Sequence, residues 1–65
     1  MRRLKFLRQS FEMTQFQLGR LVNIRPTKIS YFENGWAKPN PEEAKRLADV
    51  LKIEPDELME DINLR

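Results

Sequence analysis

Residues 15–32, QFQLGRLVNIRPTKISYF, carry the decisive pattern of this 65-residue chain. Thr14, just before them, is a good N-cap residue, and with Gln17 it forms the Thr-x-x-Gln capping box that begins a helix at about residue 15. This helix is predicted to end near Asn23, because asparagine tolerates the left-handed conformation that ends many helices. Pro26 is pre-organised for a first helical turn and opens the next helix, which we expect to continue to about residue 32.

The apolar residues of this stretch suit two helices that cross steeply and share one core. Four of them have the spacing of core-facing positions: Leu18, Val22, Ile29 and Phe32. Ile24 would fill the corner inside the turn, and Gly19 would lie where the two helices approach most closely. Glycine lowers helix stability by about 1 kcal/mol relative to alanine, so its presence indicates that only a small residue fits there. A helix pair with these features is a helix-turn-helix, expected over about residues 15–33.

One helix is predicted before this pair and two after it. Residues 2–12 form the first, because three apolar residues share one of its faces: Leu4, Leu7 and Phe11. A fourth helix begins at Pro41, behind the N-cap Asn40, and its core face consists of Ala44, Leu47, Ala48 and Leu51. Pro55 opens a short fifth helix that ends near residue 59. Because no segment alternates with a period of two, we predict an all-α fold: one domain, residues 1–65, built as a compact bundle of four to five helices.

The composition argues against an enzyme and against a metal site. The chain has no cysteine and no histidine, so it lacks disulfides, thiol nucleophiles, and the commonest general base and metal ligand. The carboxylates that could replace them fall in the first turns of predicted helices, where the helix dipole favours acidic residues: Glu42, Glu43, Asp56 and Glu57. We therefore expect no catalytic residue, no metal and no cofactor. No apolar run approaches the roughly 20 residues that span a bilayer, and the N-terminus lacks a signal-peptide core, so we expect a cytoplasmic protein without membrane contact.

The charge is distributed unevenly along the chain. Residues 1–40 contain eight basic and two acidic side chains, whereas residues 41–65 contain four basic and eight acidic ones. The first part therefore has a net charge of +6 and the second a net charge of −4. A basic part followed by an acidic one is typical of a protein with a polyanion-binding face and a face turned away from the polyanion. A solvated surface that is uneven by chance is the alternative.

The spaced residues of the central stretch form a longer pattern: Thr14-Gln15-x-x-Leu18-Gly19-x-x-Val22-x-Ile24, then Ile29-Ser30-x-Phe32-Glu33-Asn34-Gly35, then Pro39. This pattern resembles the phage-repressor/Cro (XRE-like) helix-turn-helix family, and the resemblance extends from residue 4 to about residue 58. It implies a lambda-repressor-like fold and dimeric binding to operator DNA that controls transcription. It also implies that Arg8 pairs with Glu33 through a bidentate, charge-assisted bond, which would tie the third helix to the first.

The third helix presents a polar face opposite its core residues. Advancing about 100° per residue places Thr27, Ser30 and Tyr31 on that face and Lys28 at its edge, with no carboxylate among them. Hydroxyl groups can bond to base edges in the major groove, and a basic side chain can bind guanine. We therefore expect base contacts from six residues: Arg25, Pro26, Thr27, Lys28, Ser30 and Tyr31. An ordinary solvated helix face is the alternative.

Phosphate contacts are expected from residues outside this face. The resemblance implies that Gln15, the first residue of the second helix, and Asn34, which follows the third, bind the DNA backbone. The N-terminus of a helix also attracts anions through its unpaired N–H groups. Lys38 and Arg20 are added because of their charge. If about four to six phosphates are neutralised by each protomer, the affinity falls steeply with salt.

Apolar residues outside the predicted core are candidates for a partner surface. Segment 55–65 has four that suit a dimer interface: Leu58, Met59, Ile62 and Leu64. Phe6 and Phe16 lie away from the core faces of their helices, which leaves them exposed. For Trp36, in the loop after the third helix, packing on the core is favoured over a dimer contact or a contact with the DNA backbone.

Two functions fit these features. The favoured one is a small homodimeric transcriptional regulator, a repressor rather than an activator, that binds double-stranded DNA. Its operator would be pseudo-palindromic, with half-sites about one helical turn, roughly 34 Å, apart. A regulatory protein partner is compatible with this function. The alternative is an antitoxin or another interaction module of the same fold, which neutralises or bridges a protein partner.

Overall fold

The computed structural model describes residues 2–60, with side chains for residues 2–58. It contains five helices: α1 (Arg2–Ser10), α2 (Gln15–Val22), α3 (Pro26–Glu33), α4 (Pro41–Leu51) and α5 (Pro55–Glu60). Residues 2–60 contain no β-strand, which confirms the all-α prediction. The predicted starts of α2, α3, α4 and α5 are also confirmed.

Two reciprocal capping boxes set where α2 and α4 begin. The Gln17 N–H donates to Thr14 Oγ1 over 3.0 Å, and the Thr14 N–H donates to Gln17 Oε1 over 2.8 Å. At the start of α4 the Glu43 N–H donates to Asn40 Oδ1 over 2.7 Å, and the Asn40 N–H donates to Glu43 Oε1 over 3.0 Å. Each box pairs two backbone groups that a helix end leaves without partners, so both starts are determined by local sequence.

The turn between α2 and α3 is closed by backbone contacts at Gly19. Asn23 ends α2 in the left-handed conformation, with φ of 59°. The N–H groups of Asn23 and Ile24 both donate to the Gly19 carbonyl, the latter over 2.9 Å. A Cβ added to Gly19 would lie 2.4 Å from the Ile24 carbonyl oxygen. The close approach predicted at Gly19 is therefore made by the backbone of the turn.

The helices surround one core, and α3 faces it with Ile29 and Phe32, both of which are fully buried. The buried apolar cluster is formed by Leu4, Leu18, Val22, Ile24, Ile29, Phe32, Leu47, Leu51 and Leu58. Ala44 and Ala48 are buried as well. The predicted core faces of α2, α3 and α4 are thus confirmed, and α3 is left with its opposite side in solvent.

The predicted place of Phe11 in the core is wrong. α1 ends at Ser10, two residues earlier than expected, and Phe11 is 44% exposed. The chain reverses at Glu12, whose φ is 58°, and Met13 then packs against the core. The helical spacing that grouped Phe11 with Leu4 does not extend through this reversal, because a left-handed residue changes the direction of the chain.

The segment expected to form a dimer interface is described only at its start. Leu58 is fully buried in the core of its own chain, because α5 packs on α4, and it therefore presents no surface to a partner. The Met59 side chain lies outside the described residues, as do Ile62 and Leu64.

Gly19→Ala tests the close approach at the turn. Although alanine favours helix by about 1 kcal/mol, overpacking against the Ile24 carbonyl is expected to lower the free energy of unfolding by about 1–3 kcal/mol. Urea unfolding followed by circular dichroism measures the difference. Leu21→Ala, at a 63% exposed position of the same helix, is the control and should change stability by less than about 0.5 kcal/mol. A Gly19→Ala chain as stable as its parent would contradict the contact.

Candidate nucleic-acid interface

The outer face of α3 is polar and accessible. Thr27 and Tyr31 are exposed, Tyr31 by 45%, and Ser30 is half-buried between them. Residues 26–32 contain no carboxylate. The structure therefore brings together two hydroxyl side chains and a phenol on one surface, opposite the buried Ile29 and Phe32.

Arg25 and Pro26 form the start of α3 beside this face. Arg25 occupies the N-cap position with an extended backbone and makes no side-chain cap hydrogen bond. Pro26, at the first helical position, has no N–H to be capped and holds φ in the helical range. The exposed Arg25 side chain consequently belongs to the N-terminal end of α3, two residues before the exposed Thr27.

Lys28 is held by the scaffold. Its Nζ donates to Glu43 Oε2 over 2.7 Å, and the Lys28 side chain remains 50% exposed while that of Glu43 is only 10% exposed. Lys28 was expected among the base-reading residues, but the structure directs it towards α4. Its position at the edge of the helical face, already visible in the sequence, is what allows this contact.

The carboxyl group of Glu43 is stabilised in its ionised form. Burial raises the pKa of Glu43, but the hydrogen bond from Lys28 and the backbone hydrogen bond from Asn40 lower it by more. The positive charges of Lys28 and Arg46 act in the same direction. The net result is a lowered pKa, so the Lys28–Glu43 ion pair persists through the neutral and mildly acidic range.

Arg8 and Glu33, the pair implied by the resemblance, are joined by two hydrogen bonds. Arg8 Nε donates to Glu33 Oε2 over 2.6 Å and Nη2 donates to Oε1 over 3.2 Å. Arg8 Nη1 also donates to the Met13 carbonyl over 2.7 Å. The two side chains are 10% and 4% exposed, so this fork is shielded from water.

Gln15 joins the same group. Its Nε2 donates to Glu33 Oε1 over 3.0 Å, which uses one of the two N–H donors of the amide. The first residue of α2 is thus held beside the last residue of α3. The sequence singled out Gln15 and Glu33 separately, and no local signal indicated that they touch.

The other three expected phosphate ligands lie in different surroundings. Asn34 Nδ2 donates to the Ser30 carbonyl over 2.8 Å and so caps the end of α3. Lys38 is exposed in the following loop. The Arg20 guanidinium lies 5.9 Å from the centre of the Phe16 ring on the outer side of α2. Five helical residues rotate by about 140°, so Arg20 points well away from the direction of Gln15.

Trp36 was missed as a neighbour of α3. Its ring centre lies 5.6 Å from that of Tyr31 in an edge-to-face arrangement, and the Trp36 side chain is 72% exposed. The expected packing of Trp36 on the core is therefore wrong. Gly35, with φ of +77°, turns the chain back over the end of α3, and a glycine in this place was the available signal for such a reversal.

The geometry matches the sequence comparisons. A helix-turn-helix family model matches residues 4–58, which is most of the chain. The chain belongs to the Cro/C1-type helix-turn-helix family. This is a family of DNA-binding transcription regulators, and DNA is accordingly the implied partner of this Cro/C1-type domain. Neither a curated protein nor a solved structure matches the chain significantly.

Two further properties of this Cro/C1-type domain concern the residues that the structure describes. No helix within residues 2–60 is long and apolar enough to cross a bilayer, the longest being α4 with 11 residues. The described side chains contain no group of three or more acidic residues placed to hold a metal ion.

Arg8→Lys tests the fork that ties α1 to α3. An ammonium group cannot reproduce the planar fork and the Met13 contact together, so the free energy of unfolding should fall by about 1–3 kcal/mol. Thermal and urea unfolding measure it. Arg2→Lys, on the exposed side of the same helix, is the control, and equal losses in the two variants would show that the fork does not stabilise the domain.

Glu43→Gln tests the lowered pKa. Because the folded-state pKa lies below the unfolded value, ionised Glu43 stabilises the domain at neutral pH, and this stabilisation is lost as the pH falls through the folded pKa. Glutamine can still close the capping box but cannot pair with Lys28. The variant should be less stable at pH 7, and its stability should fall less than that of the parent between about pH 5 and pH 3.

The matched control for this experiment is Glu42→Gln. Glu42 lies in the same turn of α4, but its side chain is 80% exposed. It makes a long contact of 3.5 Å to Arg46 of the same helix. Glu42→Gln should therefore destabilise the domain less than Glu43→Gln at pH 7. Adding Lys28→Met to Glu43→Gln should leave the pH dependence of the Glu43→Gln variant unchanged, because the ion pair is already lost. A parent-like acid response of Glu43→Gln would contradict the assignment.

Proposed function

We propose that this Cro/C1-type domain is a sequence-specific, dimeric transcriptional repressor that inserts α3 into the major groove of a pseudo-palindromic operator. A repressor of this kind acts by occupancy, because a protein seated in the groove of a promoter excludes other proteins from it. Its place of action would be the cytoplasm, on DNA.

The observation that carries this proposal is the outer face of α3. It is exposed and free of carboxylates, and it offers hydroxyl groups from Thr27 and Ser30 and a phenol from Tyr31. These groups can donate to and accept from base edges, and the Arg25 guanidinium can bind guanine through two hydrogen bonds. Buried Ile29 and Phe32 hold the face in one orientation, which favours specific over non-specific contacts.

Backbone contacts would position the helix. Three residues are proposed for these contacts. Gln15, at the N-terminus of α2, is held at the end of α3 by its bond to Glu33. Asn34 and Lys38 follow α3 in the chain. The amide of Gln15 has a second N–H donor beyond the one used by Glu33, and it can reach a phosphate oxygen. We keep Lys28 outside the base-reading set, because its ammonium group is already paired with Glu43.

The size of the domain is compatible with a dimer on adjacent half-sites. The Cα extents are 26 × 22 × 21 Å, below the roughly 34 Å between half-sites one helical turn apart. Two protomers therefore fit side by side on one face of the duplex. Since Leu58 belongs to the core, Met59, Ile62 and Leu64 remain as the proposed apolar contacts between them.

A second candidate function, binding of a protein partner in the manner of an antitoxin, is favoured by a different observation. Three large apolar side chains of α1 and α2 are exposed: Phe6 by 68%, Phe16 by 58% and Leu21 by 63%. Such residues are commoner at protein contacts than on free surfaces when they lie together. This function is compatible with DNA binding, because these three side chains belong to α1 and α2, whereas the proposed base contacts belong to α3.

Selection of duplexes by the full chain, from fragmented genomic DNA of the source, tests the first proposal. We expect one palindromic sequence to be recovered, with a salt dependence of about −4 to −5 in log–log slope for each protomer. Tyr31→Ala should lower the affinity for this site about tenfold and relax its base preference. Gln15→Ala should weaken binding to all sequences alike, because it removes a backbone contact.

Phe6→Ala is the control, since Phe6 is exposed on α1 and is not assigned to DNA. Melting temperatures of all variants establish that they are folded. Recovery of no sequence, together with no binding above the non-specific level at low salt, would overturn the proposal and favour a protein partner.

A further inference from the structure

Trp36 is the most exposed large apolar residue among the described side chains, at 72%. It is also the one tryptophan of the chain. It lies in the loop that connects α3 to α4, directly after Gly35. An indole in this position leaves a large apolar surface in water, which is unfavourable by roughly 25 cal/mol for each Å².

The loop holds Trp36 in a defined place. The Trp36 N–H donates to the Tyr31 carbonyl over 2.9 Å, so its backbone is fastened to the last turn of α3. The Trp36 and Tyr31 rings meet edge to face at 65°, an arrangement that aromatic pairs prefer. The exposed indole is therefore positioned by the same helix that carries the proposed base-reading face.

The charges around Trp36 favour a polyanion as its partner. Residues 34–40 contain Lys38 and no acidic residue, and the carboxylate of Glu33 is engaged by Arg8 and Gln15. A symmetric contact between two copies through this surface would place the same patch, with Lys38, on both sides. Repulsion between like charges opposes that contact, whereas the phosphates of DNA complement it.

We propose that Trp36 is a DNA-contacting residue. Its indole packs on a deoxyribose at the edge of the major groove that holds α3, and its Nε1–H donates to a phosphate oxygen. This rests on the proposed function. The indole suits such a site, because it combines a flat apolar surface with one N–H donor and no acceptor. The contact continues the surface of Tyr31, whose ring centre is 5.6 Å away.

The contact adds affinity without adding charge. Trp36 removes apolar surface from water and neutralises no phosphate, so its contribution should be independent of salt concentration. It should also be independent of base sequence, because sugars and phosphates are common to all sites. Independence of salt distinguishes Trp36 from Lys38, and independence of base sequence distinguishes it from Tyr31.

Intrinsic fluorescence of the full chain gives the first test, since Trp36 is the sole indole. The probe is a mixed-sequence duplex of about 20 base pairs at low salt, where backbone contacts form without a matched site. We expect quenching of Trp36 by acrylamide to fall when duplex is added. Without DNA, quenching should stay the same as the protein concentration is raised, because no second copy covers Trp36.

Affinities of variants for the fluorescein-labelled duplex give the second test. Trp36→Ala should weaken binding about tenfold with an unchanged salt slope, and Trp36→Phe should recover part of the loss, because it keeps an apolar ring but no N–H. Lys38→Ala should instead reduce the salt slope by about one. Phe6→Ala, an equally exposed aromatic on α1, is the matched control and should bind like the parent.

Four results would overturn the proposal. Duplex binding with unchanged quenching and a parent-like Trp36→Ala would remove Trp36 from the interface and leave the proposed function intact. Absence of any duplex binding would overturn both. Quenching that falls with protein concentration in the absence of DNA would identify a second copy as the partner. A Trp36→Ala chain that changes base preference but binds mixed-sequence DNA normally would show that Trp36 acts only through Tyr31.

Discussion

The carboxylate of Glu33 joins the ends of three helices, and the position of α3 depends on it. It belongs to the last residue of α3, accepts two hydrogen bonds from Arg8 of α1, and accepts one from Gln15 at the start of α2. Its side chain is 4% exposed, so loss of a partner would leave a charge that water cannot easily solvate. The same group therefore orients the outer face of α3 and locates the amide proposed to bind phosphate.

Two other contacts also hold α3 in place. At its N-terminal side the turn backbone approaches Gly19 so closely that a Cβ would lie 2.4 Å from the Ile24 carbonyl oxygen. Along its edge Lys28 is joined to Glu43, which also closes the capping box of α4. α3 is thus tied to α1 by Arg8, to α2 by the turn and Gln15, and to α4 by Lys28. A helix held in this way loses less conformational entropy on binding than a mobile one.

The resulting surface relies on hydrogen bonding and aromatic contact more than on charge. Of the two cations beside α3, Lys28 is paired within the fold and Arg25 remains at the N-terminal end. Thr27, Ser30 and Tyr31 supply uncharged groups that suit base edges. Trp36 adds a large exposed ring at the other end, supported by Tyr31. The proposed phosphate contacts, which do not depend on base sequence, come from residues outside α3. Positioning on the DNA backbone and recognition of bases are thus assigned to different residues.

The sequence by itself determined the features that arise from residues close together in the chain. The capping boxes at Thr14 and Asn40, the left-handed Asn23 and the core faces of α2, α3 and α4 all depend on partners within about four residues, for which spacing is sufficient evidence. The family pattern added the Arg8–Glu33 pair, whose members are 25 residues apart.

Only the tertiary structure decided the contacts between distant residues that no pattern had linked. Gln15 meets Glu33 across 18 residues and Lys28 meets Glu43 across 15, and the reversal at Glu12 moved Phe11 out of the core and Met13 onto it. Leu58 was likewise assigned to a partner surface until the packing of α5 on α4 buried it. Such pairings depend on how helices cross and on which side chains the crossings bring within reach, and helical periodicity specifies a face without specifying what will cover it.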